Sequence, residues 1–293
     1  MRLGVHVSIA GGLLEAVARA TRLRCSTMQI FSRSPRGGPS PKIVPELVAQ
    51  FDAGRREADI APLAVHGPYI INLASPDIAM WKQSVRLYEE EYARATAFKA
   101  EYLVTHVGSH RGEGEEAGIQ RVAQAVSRAL EAVKTSTVMI LLENTAGSGQ
   151  GLGYQFEQLA AIREAAGDPR RVGICLDTAH LFAAGYAIHT DTGLTETVAS
   201  FDRTVGLQHV KLIHLNDSKA AFDSRVDRHW HIGEGQIGLE PFRRLVNHRA
   251  LREIPFVVET PKSTEADDQR NLSTVRGLAH ASTSSRRPRA VRV

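Results

Sequence analysis

The sequence predicts an α/β fold, a (β/α)8 TIM barrel built from one continuous chain. Eight short apolar runs rich in β-branched residues recur along the 293 residues, and longer segments with helical spacing separate them. A barrel of this kind typically occupies about 250 residues, which fits the chain length. An open doubly wound sheet is the alternative, but no G-x-G-x-x-G turn follows the first run, so a dinucleotide-binding version has no support.

The predicted strands and helices alternate from the start of the chain to its last quarter. The strands are Leu3–Val7, Thr27–Phe31, Leu63–His66, Tyr102–His106, Val138–Glu143, Val172–Asp177, Val210–Leu215 and Pro255–Glu259. The amphipathic segments are Leu13–Leu23, Ile43–Arg56, Trp81–Phe98, Ile119–Val133, Phe156–Ala166, Leu194–Val205 and Leu239–Val246. We therefore predict one barrel domain over residues 1–281, followed by a basic, disordered tail over residues 282–293.

The net charge of +4 does not by itself indicate a nucleic-acid-binding protein, because its source lies in the tail. The last eight residues, RRPRAVRV, contain four arginines, and 36 basic residues less these four leaves 32, equal to the 32 acidic residues. The rest of the chain is thus neutral overall. Without a signal-peptide pattern or an apolar run of about 18 residues, the sequence predicts a cytoplasmic protein with no membrane attachment.

Residues that can bind a metal ion stand at the ends of six predicted strands. They are His66, His106, Glu143, Asp177, His214 and Glu259, separated by 40, 37, 34, 37 and 45 residues. In a barrel the carboxyl ends of all strands meet at one face, so these side chains are expected to converge on one pocket. Six potential ligands in phase with the strands indicate a metal site more strongly than any one of them does alone.

Two local motifs enlarge this group to nine candidate ligands. Asp177-Thr-Ala-His180 adds a histidine beyond a strand end, and Asp227-Arg-His229 adds a carboxylate and a second histidine. Five imidazoles and four carboxylates suit two or three ions, and zinc, manganese or iron better than magnesium or calcium. Several neighbouring ions favour phosphodiester hydrolysis, whereas isomerisation of a sugar usually needs only one or two. Cys25 and Cys175 are expected to be buried core residues and not ligands.

Seven segments around these residues resemble conserved motifs of the endonuclease IV family of trinuclear-zinc DNA-repair enzymes. They are GVHVSIAGG at 4–12, HGPYIINLASP at 66–76, THVGSH at 105–110, LLENTAGSG at 141–149, VGICLDTAHLFAAGYAI at 172–188, HLNDSKAAFDSRVDRHWHIGEGQIG at 214–238 and VVETP at 257–261. The long segment from residue 214 to residue 238 is the most specific of them. The resemblance extends over nearly the whole chain.

The resemblance implies three Zn²⁺ ions, with Mn²⁺ or Fe²⁺ as substitutes, and assigns all nine candidates to them. One zinc would be held by His66, His106 and Glu143, and a second by Glu143, Asp177, His214 and Glu259. The third would be held by His180, Asp227 and His229. Glu143 would bridge two ions, and Glu143 and Glu259 are the residues implied to be catalytic.

The same resemblance implies an apurinic/apyrimidinic (AP) endonuclease of base excision repair that acts as a monomer. It would cut duplex DNA on the 5′ side of an abasic site, leave a 3′-hydroxyl and a 5′-deoxyribose phosphate, and remove groups that block 3′ ends. Arg36, Tyr69 and Ile70 would contact the DNA. Two alternatives stay open from the residues alone: a sugar isomerase or epimerase with one or two metals, and a damage-binding protein with purely structural metals.

Overall fold

Eight parallel strands form the central sheet of this protein, as the sequence predicts. The computed structural model describes residues 1–38 and 40–279. The strands are β1 (Leu3–Val5), β2 (Met28–Phe31), β3 (Leu63–His66), β4 (Tyr102–His106), β5 (Met139–Glu143), β6 (Val172–Asp177), β7 (Val210–His214) and β10 (Phe256–Val258). Their order is β1-β10-β7-β6-β5-β4-β3-β2, and a bridge between His6 and Gln29 joins the two ends, so the sheet closes into a barrel.

Helices cover the outside of this barrel. They are α1 (Leu13–Arg22), α2 (Pro45–Glu57), α3 (Ile78–Ala97), α4 (Glu115–Ala132), α5 (Phe156–Ala165), α6 (Thr178–Ala183), α7 (Asp191–Thr204), α8 (Leu239–Asn247) and α9 (Glu265–Leu278). A small antiparallel pair, β8 (Asp217–Ser218) and β9 (His229–Trp230), follows β7. In the described part of the chain, no helix is both long and apolar enough to cross a membrane.

All eight predicted strands are confirmed, but α6, α9 and the β8–β9 pair were not predicted. The short helix α6 begins directly after β6, where the side chain of Asp177 accepts a hydrogen bond from the backbone N–H of His180. Thr264 and Asp267 form a capping box at the start of α9. The predicted tail at residues 282–293 lies outside the described residues, so the predicted domain boundary stays a prediction.

A layer of apolar side chains inside the barrel explains why the strand-end residues point inward. This layer consists of Ala64, Val104, Leu141, Cys175, Leu212 and Val257, all buried. Each of these residues stands two positions before one of the six strand-end candidates. Because side chains two apart on a strand share a face, the six candidates also point into the barrel, one layer above this apolar floor.

The seam between β1 and β2 depends on the absence of a side chain at Gly4. A Cβ atom there would lie 1.8 Å from the carbonyl oxygen of Thr27. We expect Gly4→Ala to lower the free energy of unfolding by at least about 1–3 kcal/mol, since the strands must separate to admit the methyl group. Denaturant unfolding measures this loss. Gly277→Ala in α9 is the control, because a Cβ there meets open space. This substitution should raise the free energy of unfolding by at most about 1 kcal/mol.

Candidate metal centre

The six strand-end candidates converge at the carboxyl end of the barrel and form part of three overlapping groups. Within each group one ligand atom per residue lies within 4.8 Å of the others. The groups are His66, His106 and Glu143; Glu143, Asp177, His214 and Glu259; and Asp177, His180 and His229. Strand register contributes to this arrangement, since His106 pairs with Glu143 and Asp177 pairs with His214.

Glu143 belongs to the first two groups and turns a different oxygen toward each. Its Oε2 lies 3.2 Å from Nε2 of His66 and 3.0 Å from Nε2 of His106. Its Oε1 lies 2.8 Å from Nδ1 of His214. The side chain is completely buried. This geometry is what a carboxylate bridging two cations requires.

In the second group, His214 and two further carboxylates surround the Oε1 side of Glu143. Nδ1 of His214 lies 3.0 Å from Oε2 of Glu259 and 3.9 Å from Oδ2 of Asp177. Three carboxylates and one imidazole therefore face the same small volume. So much negative charge requires compensation by protons or by a cation.

The third group lies nearer to solvent and has two candidate carboxylates. Nε2 of His180 and Nε2 of His229 lie 3.4 Å apart. Asp227 approaches both, at 3.2 Å from His180 and 3.4 Å from His229, and its side chain is 48% exposed. Asp177 lies 3.5 Å from His229. The assignment of Asp227 to this group stays a prediction, and Asp177 is a second residue that could join two groups.

Backbone carbonyls orient two of the imidazoles. Nδ1 of His66 donates to the carbonyl of Gly67 at 2.7 Å, and Nδ1 of His180 donates to the carbonyl of Asn144 at 2.8 Å. A carbonyl can only accept, so in both rings Nδ1 carries a proton and Nε2 is the nitrogen that faces the centre. Metal-binding histidines commonly have their second nitrogen fixed in this way.

Two buried asparagines that the sequence analysis did not identify hold the acidic residues in place. Asn144 accepts a hydrogen bond from the backbone N–H of Asp177 at 2.6 Å. Asn216 donates to Oδ2 of Asp177 at 2.6 Å and accepts from the backbone N–H of Glu259 at 2.8 Å. The sequence carries two signals for them: they lie just beyond β5 and β7, and both fall inside the motif segments at 141–149 and 214–238.

The electrostatics of the centre are those of a cation site. Burial opposes the ionisation of Glu143, but the charges of His106 and His214 outweigh it and hold the pKa of Glu143 well below its usual value. Burial likewise opposes protonation of His180, but Asp177 and Asp227 raise its pKa to about 10. Glu143 is thus ionised and draws positive charge, which metal ions can provide.

The donor atoms fit zinc or a similar transition metal. Imidazole nitrogens and carboxylate oxygens converge without a thiolate in the described groups. Cys175 lies in the apolar floor, and burial raises the pKa of its thiol to about 12, so it stays protonated. Cys25 is also buried, as predicted, and both cysteines are free.

Two clefts open on either side of the centre, and Tyr69 lines both. One has a volume of about 330 Å³ and is lined by His106, His180 and Asp227. The other has a volume of about 540 Å³ and is lined by His229 and Glu259. Ligand atoms of the centre can therefore be reached from both sides of Tyr69.

Of the three predicted DNA-contacting residues, Tyr69 lines both clefts, and Ile70 follows it in the chain. Tyr69 is 65% exposed, and its ring lies 5.8 Å from that of His66. Ile70 is 47% exposed. Arg36 is exposed on the loop after β2, and a Cβ at the adjacent Gly37 would lie 3.3 Å from Cδ1 of Ile70. The loop carrying Arg36 and the segment carrying Tyr69 and Ile70 are thus neighbours.

Comparison with known proteins identifies the family. A family model described as a xylose isomerase-like TIM barrel matches residues 17–281. The probable endonuclease 4 of Methanosphaerula palustris is 44% identical over 281 residues, which cover 95% of this chain and 98% of that protein. The chain belongs to the endonuclease IV family. The probable endonuclease 4 of Chloroflexus aurantiacus is 45% identical over 278 residues, covering 94% of this chain and 98% of its own.

Solved structures agree with this assignment. The crystal structure of endonuclease IV from Thermus thermophilus matches with a TM-score of 0.85 and 36% identity, covering 95% of this chain and 98% of that chain. A D-tagatose 3-epimerase-like protein matches with a TM-score of 0.70 but only 19% identity, which shows a shared fold alone. The predicted resemblance to the endonuclease IV family and the predicted barrel are confirmed, and the chain is an enzyme of the hydrolase class.

Proposed function

We propose that this enzyme is a zinc-dependent AP endonuclease that acts on duplex DNA as a monomer in the cytoplasm. It hydrolyses the phosphodiester 5′ to an abasic site, leaves a 3′-hydroxyl and a 5′-deoxyribose phosphate, and removes groups that block 3′ ends during base excision repair. The observation that carries the proposal is the position of Glu143, whose two oxygens face two separate groups of ligands. A multinuclear centre of this kind suits phosphodiester hydrolysis.

Each of the nine residues has a place in this proposal. His66, His106 and Glu143 would hold one ion, Glu143, Asp177, His214 and Glu259 a second, and His180, Asp227 and His229 a third. When bound, zinc ions supply Lewis-acid activation of water and stabilise the negative charge that develops on phosphate oxygens. We assign catalytic roles to Glu143 and Glu259.

The bond changes are those of simple hydrolysis. The oxygen of a water molecule bonds to phosphorus while the bond from phosphorus to the 3′ oxygen of the preceding nucleotide breaks. One proton of the water ends on that 3′ oxygen, and the other is released from the new 5′ phosphate. The half-exposed Asp227, which lines the smaller cleft beside His106 and His180, stands where the DNA backbone would enter.

Tyr69 and Ile70 are proposed to occupy the space at an abasic site, and Arg36 to contact the DNA beside them. An extruded abasic nucleotide leaves no base to unstack, so side chains at the rim can enter the duplex at low cost. Tyr69 stands between the two clefts, beside His66. Side chains that recognise the lesion would thus also help to position the reacting phosphate beside the metal centre.

A single incision assay tests the proposed function. The zinc-loaded enzyme is incubated with a 5′-labelled duplex that contains one tetrahydrofuran abasic analogue, and with the same duplex undamaged. We expect one cut on the 5′ side of the analogue, with a 3′ end that a polymerase extends. A lack of incision, a cut on the 3′ side, or equal cutting of undamaged DNA would contradict the proposal. Interconversion of sugars without incision would favour the isomerase alternative.

Replacing both Tyr69 and Ile70 by alanine is expected to weaken binding of abasic DNA about tenfold to a hundredfold. Loss of a side chain that stacks in a nucleic acid typically costs about 1–3 kcal/mol, and about 1.4 kcal/mol corresponds to a factor of ten. Fluorescence anisotropy with a labelled abasic duplex measures the change. The zinc content of the double variant should equal that of the parent protein. Leu47→Ala in α2 is the control, because Leu47 is similarly exposed, at 45%. An unchanged affinity in the double variant would refute the proposed role of Tyr69 and Ile70 at the abasic site.

A further inference from the structure

Gln29 is a buried polar residue that connects two of the candidate metal ligands. It lies on β2, is completely inaccessible to solvent, and its amide group reaches ligands at the carboxyl end of the barrel. Its Nε2 donates to Oε1 of Glu259 at 2.6 Å. Its Oε1 lies 2.8 Å from Nε2 of His214. One amide thus contacts ligands from two different strand ends, 185 and 230 residues away in sequence.

The partners of Gln29 determine the direction of its amide group. An ionised carboxylate can only accept hydrogen bonds, so the NH2 of Gln29 faces Glu259. The amide oxygen then faces Nε2 of His214 and can only accept. His214 must therefore carry a proton on Nε2. The reverse orientation would place the amide oxygen against the carboxylate oxygen, which is repulsive.

This arrangement leaves free the atoms that a cation would need. With its proton on Nε2, His214 can offer the lone pair of Nδ1, the atom that lies 2.8 Å from Glu143 and 3.0 Å from Glu259. Gln29 also occupies Oε1 of Glu259, so Oε2 remains available on the side of His214. His6 lies on the same side as Gln29, with Nδ1 3.1 Å from Oε1 of Glu259.

We propose that Gln29 is a positioning residue that fixes the tautomer of His214 and the orientation of Glu259 for the ion shared by Glu143, Asp177, His214 and Glu259. This proposal rests on the proposed function. A glutamine is suited to the task because a neutral amide donates to the carboxylate and accepts from the imidazole at the same time. Partners behind the ligands of a metal typically contribute a factor of about 10–100 to its affinity.

Two substitutions separate positioning from packing. Gln29→Leu removes both hydrogen bonds, whereas Gln29→Glu keeps the size of the side chain but places a second carboxylate against Glu259. We expect zinc affinity to fall by about 10–100-fold in both variants, with one ion lost before the others. Elemental analysis after dialysis against graded concentrations of a chelator measures this. Gln158→Leu is the matched control, since Gln158 is also buried but accepts its hydrogen bonds from the backbone of Gly153 and Gln155 and not from a candidate ligand.

A spectroscopic measurement tests the tautomer without any change at Gln29. In the zinc-loaded protein with ¹⁵N-labelled histidine, the ring of His214 should show a hydrogen-bonded proton on Nε2. His214→Asn assigns the signal among the 12 histidines. The downfield NMR signal of this Nε2 proton should be absent from the spectrum of Gln29→Leu. This measurement on the parent protein applies even if the variants at position 29 do not fold.

The outcomes separate the two proposals. If the parent protein binds zinc and incises abasic DNA, but Gln29→Leu and Gln29→Glu retain zinc as tightly as the parent, the role of Gln29 is refuted and the proposed function stands. A proton on Nδ1 of His214 would refute it equally. If the parent protein itself neither binds zinc nor incises abasic DNA, the proposed function fails and this inference fails with it.

Discussion

Glu143→Gln is expected to lower the rate of abasic-site incision about a thousandfold or more. The substitution keeps the shape of the side chain but removes the charge shared by two groups of ligands. Metal ions contribute several kcal/mol to stabilising the charge of a transition state, and about 1.36 kcal/mol is a factor of ten in rate. Single-turnover incision of the tetrahydrofuran duplex measures the loss.

Glu164→Gln provides the matched control for this prediction. Glu164 is an exposed glutamate on α5, and its substitution should leave the incision rate within about twofold of the parent. Circular dichroism and thermal unfolding verify that both variants are folded. A rate for Glu143→Gln within about tenfold of the parent would show that Glu143 does not bridge catalytic ions.

Removal of the metals is expected to abolish incision while the barrel stays folded. If the nine candidate ligands hold all the catalytic ions, chelation leaves no other group to activate water, so activity should fall below detection after dialysis against a strong chelator. The fold should persist because the apolar floor and the packing of the helices on the sheet do not involve these residues. Circular dichroism before and after chelation tests this.

Restoring single metals distinguishes their contributions. Addition of Zn²⁺ should restore incision to the starting rate, and parallel additions of Mn²⁺ and Fe²⁺ measure how far each substitutes. Mg²⁺ is the control, since a site rich in imidazole suits it poorly. Full incision by the chelated protein in the presence of excess chelator would contradict a metal-dependent mechanism.

Much of the fold could be predicted because its signals are local. Each buried strand is a short apolar run, so all eight strands were found. The six strand-end candidates were found for the same reason, since a parallel barrel brings strand ends together whatever their separation in sequence. Their inward direction also follows from the pattern, because a side chain two positions earlier on the same strand shares its face. Val104, for example, is apolar and buried and precedes His106 by two residues.

The residues that the sequence analysis missed act through distant contacts. Gln29 lies within a strand and would be taken for an ordinary polar residue until Glu259 and His214 are placed beside it. The same holds for Asn216, whose amide contacts Asp177 and the backbone of Glu259. Helix α6 was missed because its 6 residues are too few for a helical pattern, and its start depends on the cap supplied by Asp177.

An anomalous-scattering map of zinc-loaded crystals, recorded above and below the zinc absorption edge, tests the central claim most directly. The claim is that nine residues at the mouth of the barrel hold three ions. The expected result is three peaks that disappear below the edge, all among these nine residues, with Glu143 in contact with two of them. A single peak, or peaks that leave Glu143 in contact with only one ion, would contradict the account.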